Sequence, residues 1–348
     1  MRTEENEDEA HTPPLSIILY SHDQAQELER NLPLFLQQEY EGDYKVVVII
    51  DKGDTESEDV MKRNAHEPRL YTTYIPNTSR YMSRKKLAIT VGVKAAQTDW
   101  VIVTEPTCRP ADTQWLKGMA AQCTPDKNLV VNYTAYDEDE PAIRRFYHLL
   151  TESYLLRAAH KKIAFSTDSP CVAFRKEEFI RENGFLGNLQ FNCGEYSSLV
   201  NKYAHEGMTS VCLNLEHPLT EDIPSKKTWV HKRLCYNAIR SSLMRRHTYC
   251  GLWNIDMALL HISMLVNLLL ITYSAIVHNW IVLGVSSCML LSWLIAHTVF
   301  CKKAAHRMGV ALNVFRIMPM YLLIIWYDLL LAMRFRSADK NDFTTHKL

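Results

Sequence analysis

Two tandem apolar stretches near the C-terminus constrain the fold of this chain more than any other feature. Met257 to Val277 and Trp280 to Phe300 each contain 21 residues without Lys, Arg, Asp or Glu, and only His278 and Asn279 separate them. A helix of this length extends about 30 Å, which matches the hydrocarbon core of a bilayer. The pair therefore predicts a transmembrane hairpin over 257–300.

Basic residues flank the hairpin on both sides. The segment 226–250 contains seven Lys or Arg and no acid, and Lys302, Lys303 and Arg307 follow the second stretch. Basic flanks favour the cytoplasmic face of a membrane. We therefore expect a multi-pass protein of the cell membrane, with its large N-terminal part in the cytoplasm and membrane lipids as partners. Nucleic acid is not expected, because the basic residues lie beside an apolar region rather than across a folded face.

A third apolar stretch, 312–333, is interrupted by Arg316, Pro319 and Asp328. A charged side chain at mid-bilayer costs about 2.5–3.5 kcal/mol. This cost favours a helix that lies in the membrane interface beside the hairpin. A third transmembrane helix is the alternative, and the sequence leaves both open.

Before residue 226, short β-rich segments alternate with helical ones. The runs "LSIILYS", "YKVVVIID", "LYTTYIP" and "WVIVTE" predict strands, and amphipathic segments between them predict helices. This order predicts an α/β domain with a mostly parallel sheet flanked by helices. Such sheets bind ligands outside the carboxyl ends of their strands, and the sequence places Ser21–Asp23, Asp51–Asp54 and Glu105–Thr107 there.

The chain lacks the glycine-rich loops that commonly hold phosphate. Neither G-x-G-x-x-G nor G-x-x-x-x-G-K-[ST] is present, which argues against dinucleotide enzymes and P-loop nucleotidases. A pyrophosphate would then need another partner, and a divalent cation held by carboxylates is the expected one. The nine cysteines are scattered without a C-x-x-C pair or zinc spacing, so free thiols are expected.

Several segments, in this order, resemble family 2 glycosyltransferases. They are "PPLSIILYSHDQAQELERNLPLFLQQEY", "VVVIIDKGDTESED", "SRKKLAITVGVKAAQTDWVIVTEPTCRP", "CVAFRKEEFIRENGF", "CGEYSSLV" and "KKTWVHKRLCY". The resemblance covers roughly 14–236 and continues in the membrane hairpin. It implies a GT-A-like α/β fold, a nucleotide-sugar donor, and Mg²⁺ or Mn²⁺ as a cofactor.

The resemblance also implies roles for individual residues. Asp51 and Lys86 match the positions that contact the nucleotide. Glu105 and Thr107 match the metal-binding D-x-D, and Glu195 lies beside the position of the catalytic base.

Three of the motifs are altered in this chain. Thr107 offers a hydroxyl where the family has a carboxylate, so the expected metal site is weakened. Tyr196 occupies the position of the catalytic carboxylate, which leaves Glu195 as the expected base. The Arg-Trp pair of the Q-x-x-R-W region is absent, and Lys232 and Arg233 remain there to meet phosphate.

Two functions stay open on these residues. The first is a membrane-anchored glycosyltransferase that moves a sugar from a nucleotide-sugar to a lipid-linked or polysaccharide acceptor by inverting displacement. The second is a catalytically silent relative that acts as a binding or assembly partner. The predicted division of the chain is an acidic disordered tail (1–13), a glycosyltransferase 2-like cytosolic domain (14–236), a basic juxtamembrane segment (237–256), a transmembrane hairpin (257–300), an interfacial or third transmembrane helix (312–333) and a tail (334–348).

Overall fold

The computed structural model describes residues 12–76 and 82–345. Most of the predicted acidic tail and the last three residues of the chain lie outside the described residues. The strands are β1 (Leu15–Ser21), β2 (Tyr44–Asp51), β3 (Leu70–Ile75), β4 (Trp100–Thr104), β5 (Cys108–Pro110), β6 (Leu129–Asn132), β7 (Thr134–Tyr136), β8 (Val172–Arg175), β9 (Thr209–Cys212) and β10 (Leu219–Glu221). The α-helices are α1 (Ala25–Leu36), α2 (Thr55–Arg63), α3 (Arg84–Ala95), α4 (Trp115–Ala120), α5 (Ala142–Lys161), α6 (Lys176–Arg181), α7 (Glu195–Tyr203), α8 (Lys226–Ile239), α9 (Arg246–Ile276), α10 (Trp280–Arg307) and α11 (Val314–Ser337).

The larger sheet has seven strands in the order β3-β2-β1-β4-β8-β6-β9. The first four are mutually parallel, and β8 runs antiparallel to both of its neighbours. Strands β1, β2 and β4 are continuous apolar runs that are buried along nearly their whole length, because helices cover both faces of the sheet. The predicted mostly parallel α/β domain is confirmed.

A second, three-stranded sheet has the order β5-β10-β7. Strand β10 pairs antiparallel with β5 and parallel with β7. Because β5 begins directly after the Glu105–Thr107 turn that ends β4, this small sheet starts at the carboxyl edge of the large one.

Helix α3 is packed tightly against the large sheet. A Cβ at Gly92 would lie 2.7 Å from Ile18 Cγ2 and 2.8 Å from Ile49 Cδ1, so only glycine permits this approach. The side chain of Ser83 caps the helix by accepting a hydrogen bond from the backbone N–H of Lys86 at 3.2 Å. Since α3 follows a parallel strand, its N-terminus lies at the carboxyl edge of the sheet, where the ligand is expected.

Three helices near the C-terminus, α9, α10 and α11, are each long and apolar enough to cross a membrane. The first two form an antiparallel pair joined at 277–279, as the hairpin prediction requires. The predicted apolar helical region at the C-terminus is confirmed.

Helix α11 lies along the soluble domain rather than projecting away from it. The ring of Tyr321 meets Phe146 of α5 edge-on, with 6.2 Å between centroids. Further along, Asp328 accepts a hydrogen bond from the hydroxyl of Tyr147. Ile317 and Ile324 on the same helix are buried. The contact with the domain therefore extends over several helical turns.

The end of the described chain returns to the domain and pairs with the loop that precedes α7. The backbone N–H of Thr345 donates to Gln190 O at 2.9 Å, and that of Asn192 donates to Phe343 O at 2.9 Å. Phe343 is buried beneath this pairing. The C-terminal segment thus covers the edge of the site described next.

Candidate active site

A cleft of about 600 Å³ opens at the carboxyl edge of the parallel strands. Its volume is within the usual range for small-molecule sites, and its position is the expected one for this kind of sheet. The lining residues come from the end of β1 and the turn after it, the start of α3, the end of β4, the loop before α7 and the C-terminal segment. They are Tyr20, His22, Gln24, Met82, Ser83, Arg84, Lys85, Glu105, Asn192 and Thr345.

Three consecutive residues at the start of α3 each contact a different acid. Ser83 Oγ donates to Glu195 Oε1 at 3.2 Å. Arg84 Nη1 donates to Asp51 Oδ2 at 3.2 Å. Lys85 Nζ donates to Glu105 Oε1.

A short segment of one helix therefore gathers three acids that the sequence separates widely. The N-terminus of a helix carries a partial positive charge, and two side chains at this N-terminus are cationic. Backbone N–H groups and cations in this arrangement favour an anionic ligand such as a diphosphate.

The Lys85–Glu105 pair holds both partners in their charged forms. Burial by itself would raise the pKa of Glu105, but the ammonium groups of Lys85 and Lys232 outweigh burial and lower it. Burial would likewise lower the pKa of Lys85, and the carboxylates of Glu105 and Glu195 raise it instead. The cleft consequently has a fixed ammonium group on its wall.

Asp51 lies behind the wall of the cleft and does not line it. Its side chain is 4% exposed, and Oδ1 accepts a hydrogen bond from the Tyr20 hydroxyl at 3.1 Å. Oδ2 lies 2.6 Å from His22 Nδ1 and also accepts from Arg84. Asp51 therefore positions three residues that do line the cleft, while its predicted direct contact with a nucleotide would require these bonds to open.

The structure places Lys86, predicted from the sequence to contact the nucleotide, behind the cleft rather than on its lining. Its side chain is fully buried, and its ammonium donates to Asn188 O, Asn188 Oδ1 and Phe191 O at 2.6, 2.7 and 2.6 Å. An ammonium group has three N–H donors, so these bonds satisfy it completely. Lys85, the preceding residue, is the lysine that faces the cleft.

Glu195 begins α7 and is 5% exposed, with Ser83 as a hydrogen-bond donor to one oxygen. Tyr196 beside it is buried, and its hydroxyl has no hydrogen-bond partner among the described residues. Burial first, and then the nearby Glu105 carboxylate, raise the pKa of Tyr196 well above its ordinary value. Tyr196 is thus unsuited to accept a proton, and Glu195 is the carboxylate left near the cleft for that role.

The residues at the predicted metal site do not complete one by themselves. Thr107 Oγ1 donates a long hydrogen bond of 3.4 Å to Glu105 Oε2, and Lys85 occupies the other oxygen of Glu105. Among the described residues, no group of three or more His, Cys, Asp or Glu side chains could hold a metal ion. A divalent cation would have one carboxylate here and would have to displace an ammonium group to reach it, so the donor set fits such a cation poorly.

Lys232 and Arg233, which the sequence left to meet phosphate, are instead paired with acids. Lys232 Nζ donates to both carboxylate oxygens of Glu221 at 2.9 and 3.0 Å. Arg233 forms a two-point pair with Asp168, with N–O distances of 2.8 and 2.6 Å, and is 4% exposed. Arg233 therefore joins α8 to the domain core rather than facing a ligand.

Sequence reasoning missed Ser83, Arg84 and Lys85 as residues of the cleft, and it included His22 only as part of the Ser21–Asp23 turn. One signal for the lysines was present: Lys86, Ile89 and Val93 share a helical face, and all three are buried. That spacing turns Lys86 inward and Lys85 toward the sheet edge. The pairing of Asp51 with His22 and Arg84 has no comparable signal, because it joins three separate turns.

Comparison with known proteins gives structural neighbours only. No protein-family model matches the chain, and no curated protein matches it. One similar solved structure is the mannosyltransferase PcManGT from Pyrobaculum calidifontis in complex with GDP-Man and Mn²⁺, with a TM-score of 0.49, 18% identity, and coverage of 65% of this chain. Another is S. aureus TarS 1-349 in complex with UDP-GlcNAc, with a TM-score of 0.49, 11% identity, and coverage of 67% of this chain and 72% of that chain.

The chain spans 62% of the length of the mannosyltransferase. The mostly parallel sheet with flanking helices, followed by C-terminal apolar helices, agrees with the α/β architecture predicted from the sequence. The nucleotide-sugars and the metal ion named with these two neighbours are ligands of those proteins.

Proposed function

We propose that this protein is a membrane-anchored glycosyltransferase that binds a nucleotide-sugar in the cleft at the start of α3. The observation that carries the proposal is the contact of Ser83, Arg84 and Lys85 with Glu195, Asp51 and Glu105. It places two cations, a helix N-terminus and the Glu105 carboxylate around one cleft of suitable volume, with the Glu195 carboxylate directly behind Ser83. These are the groups that a transferase needs for a diphosphate leaving group and a deprotonated acceptor.

Donor binding rests on charge. Lys85 and Arg84 line the cleft and face the diphosphate, and the first backbone N–H groups of α3 add to their attraction. Asp51 acts through Tyr20, His22 and Arg84, whose side chains it holds in place. Lys86 acts further back, by fixing the loop that carries Asn192 into the cleft wall.

Transfer follows as a single displacement at the anomeric carbon. The acceptor hydroxyl oxygen forms the new bond to that carbon as the bond to the diphosphate oxygen breaks, which inverts the configuration. The proton of the hydroxyl passes to the carboxylate of Glu195, and the nucleoside diphosphate leaves against Lys85 and Arg84. Because the reaction is mostly positioning and charge stabilisation, a fixed ammonium group can take the role that a divalent cation has elsewhere.

The membrane helices suggest the acceptor. The acceptor would be a hydroxyl on a lipid-linked sugar or a growing polysaccharide, which reaches the bilayer surface beside the α/β domain where α11 packs. Tyr147 and Phe146 of α5 contact α11 at Asp328 and Tyr321, so this part of α11 is held against the α/β domain. This supports an interfacial α11 beside a two-helix membrane hairpin, and the basic flanks of the hairpin favour a catalytic domain on the cytoplasmic side.

Calorimetry of the detergent-purified full chain with UDP and GDP, each with and without Mn²⁺, tests the donor site. One of the two nucleotides is expected to bind, and Lys85→Ala is expected to weaken binding about 10- to 100-fold, since a charge-assisted bond contributes about 1.5–3 kcal/mol. Lys94→Ala is the matched control, because Lys94 lies exposed at the other end of the same helix. Absence of nucleotide binding under all four conditions would overturn the proposal.

A second function has one observation in its favour. Asp51, Glu105 and Glu221 are all neutralised by cations of the chain itself, and Tyr196 stands in the position of a catalytic carboxylate. This pairing of acids with the chain's own cations is expected in a catalytically inactive glycosyltransferase-like protein that acts as a binding or assembly partner. In cells lacking the native protein, Lys85→Ala combined with Glu195→Gln would then restore the wild-type phenotype, whereas a transferase requires both residues.

A further inference from the structure

Two cysteines and a histidine meet at the junction between the loop before α7 and helix α8. Cys193 lies in that loop and is half-buried, and Cys235 lies on α8 and is 7% exposed. The side chain of Cys193 packs against the small cluster of buried residues that contains Cys235 and Phe343. His231, one turn before Cys235, places Nε2 3.4 Å from its Sγ.

The backbone explains why these side chains meet. Gly194 follows Cys193 with a φ of 75°, and a Cβ at this glycine would collide with Ile239 of α8. The loop can therefore lie directly on the helix only because a glycine is present. This close approach holds Cys193 against Cys235, whereas the other seven cysteines are distributed elsewhere in the fold.

We propose that Cys193 and Cys235 form a redox-active dithiol that peroxide converts reversibly to a disulfide, with His231 assisting the reaction. The inference concerns residues behind the cleft and does not rest on the proposed transferase activity. In a reducing cytosol both thiols are free at rest, and a disulfide that forms there is characteristically transient and regulatory.

Electrostatics support the geometry. The hydrogen bond from Cys193, and then the neighbouring His231, lower the pKa of the Cys235 thiol in spite of its burial. The same contact with Cys235 raises the pKa of His231, which favours an imidazolium beside the sulfur. A thiolate beside an imidazolium, with a second thiol in contact, is the usual setting of a reactive cysteine and its resolving partner.

The chemistry balances with peroxide as the oxidant. The Cys235 thiolate attacks one peroxide oxygen, the O–O bond breaks, and the hydroxide that leaves takes a proton from His231 to form water. Cys235 is now a sulfenic acid. The Cys193 sulfur then attacks the Cys235 sulfur, the S–O bond breaks, and the hydroxide released combines with the Cys193 proton as a second water.

A disulfide at this place would tie two functional elements together. Cys193 stands between Phe191, whose carbonyl accepts from Lys86, and Glu195 at the start of α7. Helix α8 carries Lys232 and Arg233 on its central turns. Phe343 of the C-terminal segment packs over Cys235 and stacks on His231 with 6.0 Å between ring centroids. Oxidation would thus fix the Glu195 loop to α8 beneath that segment.

The test is peroxide titration of the folded full chain in detergent, followed by alkylation of the remaining thiols and peptide mass mapping. We expect the first oxidation product to be the peptide pair containing Cys193 and Cys235, lighter by two hydrogens and restored by dithiothreitol. In Cys193→Ser, Cys235 should stop at the sulfenic acid and be trapped by dimedone. Cys250→Ser, a cysteine outside the pair, should leave the product unchanged.

His231→Gln should slow disulfide formation at least about fivefold, because it removes the cation beside the thiolate. A wild-type protein in which other cysteines are oxidised while Cys193 and Cys235 remain free thiols overturns the proposal. The proposal is also overturned if Cys193 or Cys235 forms disulfides with other cysteines as fast as the two form one with each other. Since both outcomes are read on the wild-type chain, the test stands even where a variant fails to fold.

Discussion

The ammonium of Lys85 donates to the carboxylate of Glu105 at the place where the sequence predicts a metal ion. The pair places a covalently attached cation beside the cleft in a chain that has Thr107 at the second position predicted for metal binding. It also explains how the altered motif can remain functional, since an ammonium group can offset the charge of a diphosphate without coordination by two carboxylates.

Glu105→Gln should strengthen nucleotide binding in the absence of metal. The substitution removes the negative charge that holds Lys85, so the ammonium becomes fully available to the diphosphate, and we expect about tenfold tighter binding, or ~1.4 kcal/mol. Calorimetry with EDTA present gives the measurement. Thr107→Val is the companion variant and should change affinity little. Loss of a Mn²⁺-dependent binding signal in Glu105→Gln would instead show that Glu105 is a metal ligand.

Glu195→Gln and Tyr196→Phe should separate the two residues at the altered catalytic position. The first removes the only proposed proton acceptor and should lower kcat about 10²- to 10⁴-fold with little change in KM for the donor. The second removes a buried hydroxyl that has a raised pKa and no hydrogen-bond partner within the part of the chain that the structure describes, so kcat should stay within about twofold. Equal loss of kcat in both variants would contradict the assignment of Glu195 as base.

Lys86→Met should act on stability rather than on chemistry. Methionine keeps the length of the side chain but leaves three buried oxygens of Asn188 and Phe191 without their donor, at a cost of about 2–4 kcal/mol. Thermal unfolding in detergent should therefore show a clear fall in Tm. Lys85→Met is the control on the same helix and should lower nucleotide affinity with a smaller change in Tm. The reverse pattern would restore Lys86 as the nucleotide contact.

The stability of the domain should fall as pH rises above neutrality, and His148 should contribute to this fall. Burial would lower the pKa of His148, but its hydrogen bond and charge interaction with Asp168 raise it above 6.5. Both ring nitrogens face oxygens, Asp168 Oδ2 at 2.6 Å and Thr134 O at 2.8 Å, which suits an imidazolium. The contribution of His148 to the free energy of unfolding is therefore complete below about pH 6.5, and it is lost as the pH rises through the raised pKa.

Thermal unfolding between pH 6 and 9 measures this effect. The fall in Tm with pH should be smaller in His148→Gln, whereas His160→Gln, an exposed residue of the same helix, should keep the wild-type slope. Asp168 does not contribute to the slope in this range, because Arg233 and His148 hold its pKa far below 3.8 in spite of burial. Identical slopes in all three proteins would contradict a charged His148.

Cysteine labelling should place both ends of α11 on one side of the membrane. In a background with Cys288→Ser, Ala311→Cys and Ser337→Cys should react with an impermeant maleimide from the cytoplasmic side, because α11 packs along the soluble domain. His278→Cys, in the turn of the hairpin, should react from the opposite side. Labelling of positions 311 and 337 from opposite sides would establish α11 as a third transmembrane helix.

The sequence determined the parts of this protein that depend on local pattern. Continuous apolar runs predict β1, β2 and β4, because a parallel strand with helices on both faces of its sheet buries the side chains of both faces. Two uncharged runs of bilayer length predict the α9–α10 hairpin for a similar reason. Ser21, Asp51 and Glu105 are also correctly placed at one edge of the sheet, since parallel strands share a carboxyl end.

Only the tertiary structure decided which of these residues face a ligand. Lys85 and Lys86 are neighbours in the chain, yet Lys85 lines the cleft and Lys86 is buried and donates to three oxygens. The reason is that successive side chains on a helix point about 100° apart. Asp51 has the expected position, but its carboxylate oxygens contact Tyr20, His22 and Arg84. Long-range pairs of this kind join segments that no local pattern links. The position of a residue can therefore be predicted from its strand, while its partners depend on the packed fold.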